Sequence, residues 1–262
     1  MTLRLTLSAA CATLVLAAAS GAAAQTQPYQ RMGPQQDWTV DLGVGVMFSQ
    51  DASGDTGGKT NAVPYIAANW RDRVYFNPFE GVGWNVVSTD SFRAGVQLRP
   101  RFGPDDIEGL TLERPEFGAD AAIYAYQRLP GNIVVGGRIS RDITDVSEGT
   151  EYHASIGHQR LTPIGVLNTS AYVRGGDRNL ADAYYGVSTA EALANGIQAY
   201  APDGGLQGAG ATALLIAPLG PRWAVGGMLN YERRLGDIAD SPLSQSDDSF
   251  RVGAFVARRF GG

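Results

Sequence analysis

Over residues 38–48 the chain alternates with period two. Trp38, Val40, Leu42, Val44, Val46 and Phe48 share one side of an extended strand, and Thr39, Asp41, Gly43, Gly45 and Met47 the other. The alternation recurs. Phe92, Ala94, Val96 and Leu98 oppose Arg93, Gly95, Gln97, Arg99 and Arg101. Ile133, Val135, Ile139 and Ile143 oppose Gly136, Arg138, Ser140 and Asp142, with Arg141 an exception on the apolar side. Trp223, Val225, Leu229 and Tyr231 oppose Gly226, Asn230 and Glu232. Phe250, Val252, Ala254, Val256 and Phe260 oppose Arg251, Gly253 and Arg259, with Phe255 and Arg258 out of phase. Weaker alternation covers 62–70, 74–79, 82–88, 117–127, 151–160, 165–175 and 206–217.

This pattern predicts twelve antiparallel strands, most near the roughly 9–11 residues of a tilted transmembrane strand. Their connections alternate in length. Arg71-Asp72, residues 88–90, Pro130-Gly131, Thr162-Pro163 and 220–222 are tight turns; 49–61, 103–116, 144–151, 176–205 and 236–248 are long and polar. Short turns at one end and long loops at the other mark an up-and-down transmembrane barrel. Glu80-Gly81 is a short link where a long loop is expected, so strands three and four merge in an alternative count of ten.

A secreted sandwich also alternates, because one face of each sheet is wet. Against it stand apolar faces interrupted by Ala and Gly with aromatics at the strand ends, the arrangement of interfacial girdles. Arg93, Arg99, Arg138 and Arg251 fall inside strands on the polar side, where Asp41, Asp120, Asp142 and Glu232 are available to pair with them in a wet lumen. These eight residues form the predicted lumen charge network. The same arginines suit either structural pairing or an anion-selective constriction.

Composition agrees: 34 glycines, 11 tyrosines, 9 phenylalanines and 18% charged residues suit many short strands and turns. The first 24 residues carry Arg4, an apolar stretch and Ala22-Ala23-Ala24, and read as a signal peptide. Residues 25–37 then form an N-terminal periplasmic segment and 38–262 the barrel. Cleavage removes Cys11, the single cysteine, and with it any intramolecular disulfide. It also removes Arg4, taking the net charge from −5 to −6, which speaks against a nucleic-acid partner.

Candidate chemistry is sparse. His153 and Ser155 share a strand face, a pairing open to hydrolase chemistry, yet no acid is visibly placed to orient the histidine. His158 falls on the opposite face, so a metal site has little support, and no cofactor is expected. Ser188-Thr189-Ala190-Glu191 is a capping box and Asn195-Gly196 a stop, predicting a short helix over 189–195 in the longest outward loop, as lid, plug or recognition element. The acidic clusters at 103–106 and 244–249 lack calcium-loop spacing and read as solvated loops.

Three stretches carry a family resemblance: 63–87 with its Gly81-Val82-Gly83 strand, 183–207 starting Tyr184-Tyr185-Gly186-Val187, and 221–243 with Leu235-Gly236-Asp237-Ile238-Ala239-Asp240-Ser241-Pro242. Together they resemble the MipA/OmpV family of Gram-negative outer-membrane proteins. The resemblance implies an outer-membrane barrel among lipid and lipopolysaccharide, and a non-enzymatic scaffold bridging a lytic transglycosylase and a murein synthase, or an adhesin. It also implies a terminal aromatic recognised by the barrel-insertion machinery; Phe260 fits, followed by Gly261-Gly262. A small-solute channel and a lumenal hydrolase are the alternatives.

Overall fold

The computed structural model describes residues 37–50, 58–78, 80–104, 107, 109–115 and 117–261. The expected signal peptide, residues 25–36 of the expected periplasmic segment, and Asp105-Asp106 of the first acidic cluster lie outside the described residues.

Twelve strands are found among them: β1 (Trp38–Gln50), β2 (Lys59–Trp70), β3 (Val74–Asn77), β4 (Gly81–Ser88), β5 (Phe92–Phe102), β6 (Phe117–Leu129), β7 (Ile133–Asp142), β8 (Thr150–Thr162), β9 (Gly165–Gly176), β10 (Gly205–Pro218), β11 (Trp223–Arg234) and β12 (Asp248–Gly261). Each pairs antiparallel with its sequence neighbours, and β1 pairs with β12, closing the barrel. Closure puts Asp41 opposite Arg259 and Val44 opposite Val256. Strands three and four remain separate, so the count is twelve, and the short Glu80 link is a real turn between them.

The outward face is apolar. Val44 is 65% exposed and Ile123 60%, and Leu98, Ile139, Ile156, Leu229 and Val252 are exposed as well. Water would penalise such a belt, whereas acyl chains match it. Trp38, Trp70, Trp223 and Phe260 sit near the tight-turn rim, and Phe48, Phe117, Tyr152, Tyr231 and Phe250 near the opposite rim, all exposed. Two aromatic rings bounding an apolar band match the two interfaces of a bilayer. Arg258, out of phase in the sequence, faces outward at the tight-turn rim with its guanidinium 5.9 Å from the Trp223 ring centroid and 5.0 Å from that of Phe260. There a long cationic side chain reaches the interface while its stem stays among apolar neighbours.

Two helices lie in the longest loop. α2 (Thr189–Asn195) is the predicted one: Ser188 Oγ accepts from Glu191 N at 3.2 Å, Glu191 Oε2 accepts from Ser188 N at 2.9 Å, and Gly196 ends it at φ 66°. α1 (Arg178–Tyr185) has no counterpart in the sequence reading, although Asp177 caps it by accepting from Leu180 N at 3.0 Å. The other oxygen of Asp177 accepts from Thr150 N at 2.9 Å, tying the helix to β8.

Candidate functional site in the barrel lumen

Charged side chains point inward from strands all around the circle, and the largest group lies on β5 to β8. Glu151 of β8 is their hub. Its Oε1 accepts from Arg138 Nη2 at 2.8 Å and from Arg99 Nη1 at 3.5 Å, and its Oε2 from Arg101 Nη1 at 3.5 Å. Arg101 also pairs with Asp120, its Nε lying 3.0 Å from Oδ1. Glu151 is 2% exposed and Asp120 1%, so water does not solvate these charges and their partners must. Glu80, in the β3–β4 turn, is buried beside them, held by Asn77 through a side-chain bond of 3.1 Å and a backbone bond of 2.9 Å.

A second cluster spans β9 to β11. Arg174 donates to Glu232 Oε1 from Nε at 2.9 Å and from Nη2 at 2.6 Å, while the Tyr172 hydroxyl donates to Glu232 Oε2 at 2.9 Å. Asn230 Nδ2 donates to the Tyr172 hydroxyl oxygen at 3.1 Å and to Thr212 Oγ1 at 3.2 Å. A third pair lies near the tight-turn rim, where Arg259 grips Asp41 with two bonds of 2.7 and 2.6 Å. A matched fork of this kind is the strongest form of ion pair.

The predicted network residues are thus distributed as follows. Arg99, Asp120 and Arg138 meet in the first cluster, Glu232 belongs to the second, and Asp41 to the third. Arg93 comes within 3.9 Å of Asp72 in the β2–β3 turn. Arg251 faces inward in register with Asn230 and Ser49. Asp142 organises a loop: one oxygen accepts from Thr144 N at 2.8 Å and the other from Val146 N at 2.8 Å, Ser147 N at 2.5 Å and Glu148 N at 3.0 Å. Arg101, Glu151, Arg174 and Arg259 join the network although the sequence reading did not include them in it. Their signal was inward phase on a strand; which wall they reach across to depends on the closed circle. Phe260, opposite Val40 near the end of β12, is exposed on the outer face.

His153 is buried and its ring stacks on Tyr172 at 5.3 Å, while His158 faces outward. Among the described residues no three His, Cys, Asp or Glu side chains are grouped to hold a metal ion.

The outward mouth carries a folded lid. Ile107, Val187, Ala192 and Leu243, from three different loops, form a small core with Leu112 and Tyr200 packed against it. Arg114 Nη1 donates to Glu191 Oε1 at 3.0 Å, and Asn195 exchanges two bonds with the Thr111 backbone at 2.7 and 2.9 Å. Partial burial raises the pKa of Glu191, but the Ser188 backbone and side chain, the Arg114 guanidinium and the Glu113 N–H outweigh it and hold the carboxyl below its ordinary value. The lid is pinned to the lumen charges: Arg101 lies 5.9 Å from the Tyr184 ring centroid and Arg234 5.2 Å from that of Tyr185. Burial pushes the Tyr184 phenol up to about 12, against the pull of Arg101.

An antiparallel barrel closed edge to edge, apolar outside and charged within, defines an outer-membrane barrel protein. The chain belongs to the MipA family, described as MltA-interacting protein MipA, whose model matches residues 42–260. No curated protein matches the chain in sequence. Among solved structures it is similar to the COG4313 outer membrane channel from Pseudomonas putida F1, at 10% identity over 87% of this chain and 97% of that one, with a TM-score of 0.42. It is also similar to OprD from Pseudomonas aeruginosa, at 8% identity over 91% and 99% with a TM-score of 0.31. Neisserial surface protein A aligns at 11% identity over 86% and 98%, with a TM-score of 0.28.

Proposed function

We propose that the protein is a non-enzymatic scaffold in the outer membrane that docks murein-remodelling enzymes on its periplasmic side. The observation that carries this reading is the family match, whose description names an interaction with MltA. The exported form lacks residues 1–24 in this reading, and Phe260 serves as its insertion signal. The tight turns face the periplasm, as short turns do in such barrels. Leu161 at the end of β8, and Ile164 and Leu219 in two of those turns, stand exposed and offer apolar contacts to an enzyme beyond the bilayer surface. The paired charges of the lumen tie the strands of the wall together, and His153, stacked on Tyr172, packs rather than catalyses.

Pull-down from cross-linked envelopes tests the scaffold. A lytic transglycosylase is expected to co-purify with the barrel and to be lost with the L161D/I164D variant. Recovery of the barrel without any enriched murein enzyme would remove the reading. Ester turnover by the purified barrel that disappears in His153→Ala would remove its non-enzymatic part.

A further inference from the structure

The barrel wall is not continuous at every height. β3 is four residues long, and β2 meets it only through Ala68, Asn69 and Trp70. Residues 59–67 of β2 therefore have β1 on one side and no strand on the other among the described residues. On the far side of the interruption β5 pairs with β4 up to Leu98, after which residues 99–102 pair with β6 alone. Among the described residues the hydrogen-bonded wall is therefore interrupted between β2 and β5 in the half nearer the outward rim, leaving a notch in the sheet.

Two prolines mark its edges. Apart from Pro218 at the end of β10, the prolines found in described strands are Pro64 in β2 and Pro100 in β5, both above the β3–β4 turn. A proline lacks the N–H that a two-sided strand needs, and within sheets it is confined to edges. The sequence has placed it on the two borders of the notch.

Behind the notch the lumen changes character. On β5 to β8 buried charges line it: Arg99, Arg138 and Glu151. On β12, β1 and β2, between Arg251 and Asn61 toward the outward rim and the Asp41–Arg259 pair toward the tight turns, lies an apolar stretch: Val63, Tyr65 and Phe255 are only half-buried, and Gly45 and Gly253 carry no side chain. The Tyr65 and Phe255 rings lie parallel, 4.3 Å apart. Phe255 is the residue that broke the alternation of β12, and here its inward ring lines this stretch. These half-buried side chains line an apolar stretch of the lumen wall that adjoins the unpaired edge of β2.

We propose that the notch admits an acyl chain of an outer-leaflet lipid against this apolar stretch of the lumen wall. Continuity with the lipid-facing belt identifies the occupant: the opening interrupts that belt, next to the exposed Ile66, and hydrocarbon fills it without a change of phase. An open strand edge at this depth is tolerated only beside a cavity or a covering group. Lys59, exposed at the outer end of the β2 edge, stands where a phosphate-bearing headgroup would lie.

The test places a fluorophore on Gly253→Cys in the full chain carrying Cys11→Ser, reconstituted in vesicles whose phospholipids bear a spin label on the acyl chain. A side chain at Gly253 finds its nearest neighbour at 3.5 Å, so the site accepts a cysteine. Quenching is expected within about twofold of that at the outward Val252→Cys, and several-fold above that at Ser155→Cys. Ser155 also faces inward and lies one wall thickness from lipid, which makes it the control. Quenching at 253 no greater than at 155, or by aqueous iodide alone, would overturn the proposal. Val63→Cys repeats the measurement should the first variant not fold.

Discussion

At the residue scale, Glu151 is the clearest dependence. Three guanidinium groups converge on one buried carboxylate, so its removal takes away their shared counter-charge in a place water does not reach. Breaking a buried pair costs about 3–5 kcal/mol. Glu151→Gln is expected to lose about that much in urea unfolding from lipid vesicles, whereas Arg71→Ala, which breaks an exposed pair with Asp37, should lose less than about 1 kcal/mol. Much of this chemistry was half legible. Alternation assigns Arg99, Arg138 and Glu151 to the inner face, but the partner of an inward side chain depends on curvature. Arg259 and Asp41 lie 218 positions apart and meet because the first strand pairs with the last.

At the scale of elements, the strands were readable because lipid and lumen impose opposite demands on successive residues. Helix α2 was readable because its capping box is written in four consecutive positions. Helix α1 was not, since its single cap, Asp177, resembles any loop aspartate until its second bond to β8 is seen. The lid supplies two expectations. Ser188→Ala removes the side-chain cap and should weaken α2 by about 1 kcal/mol, seen as faster amide exchange over residues 186–200. Because Glu191 is held below its ordinary pKa in the folded lid, its contribution is present above about pH 4.3 and disappears as pH falls through the depressed value. Protection of the same amides, taken relative to the intrinsic exchange rate at each pH, should therefore be high at pH 7 and fall at pH 3, and Glu191→Gln should flatten that difference. The β3–β4 hairpin was the ambiguous element, and for a physical reason: a four-residue strand carries too few alternations to separate from its neighbour.

At the scale of the whole molecule, a lipid-facing belt, a charged lumen, a pinned lid and one lateral notch belong to a single closed barrel. An arginine introduced on the belt tests the first of these: Ile123→Arg near the middle of β6 should cost about 2–4 kcal/mol in a bilayer. Charge in the lumen and grease outside are one statement about orientation, and consecutive positions of a single strand decide it. Spin labels at each of residues 151–157 of β8, in vesicles, would give accessibility to oxygen and to an aqueous nickel reagent. Oxygen accessibility should peak at 152, 154 and 156 and fall at 151, 153, 155 and 157. A flat profile, the opposite phase, or a chain that stays folded and soluble without detergent would contradict the account.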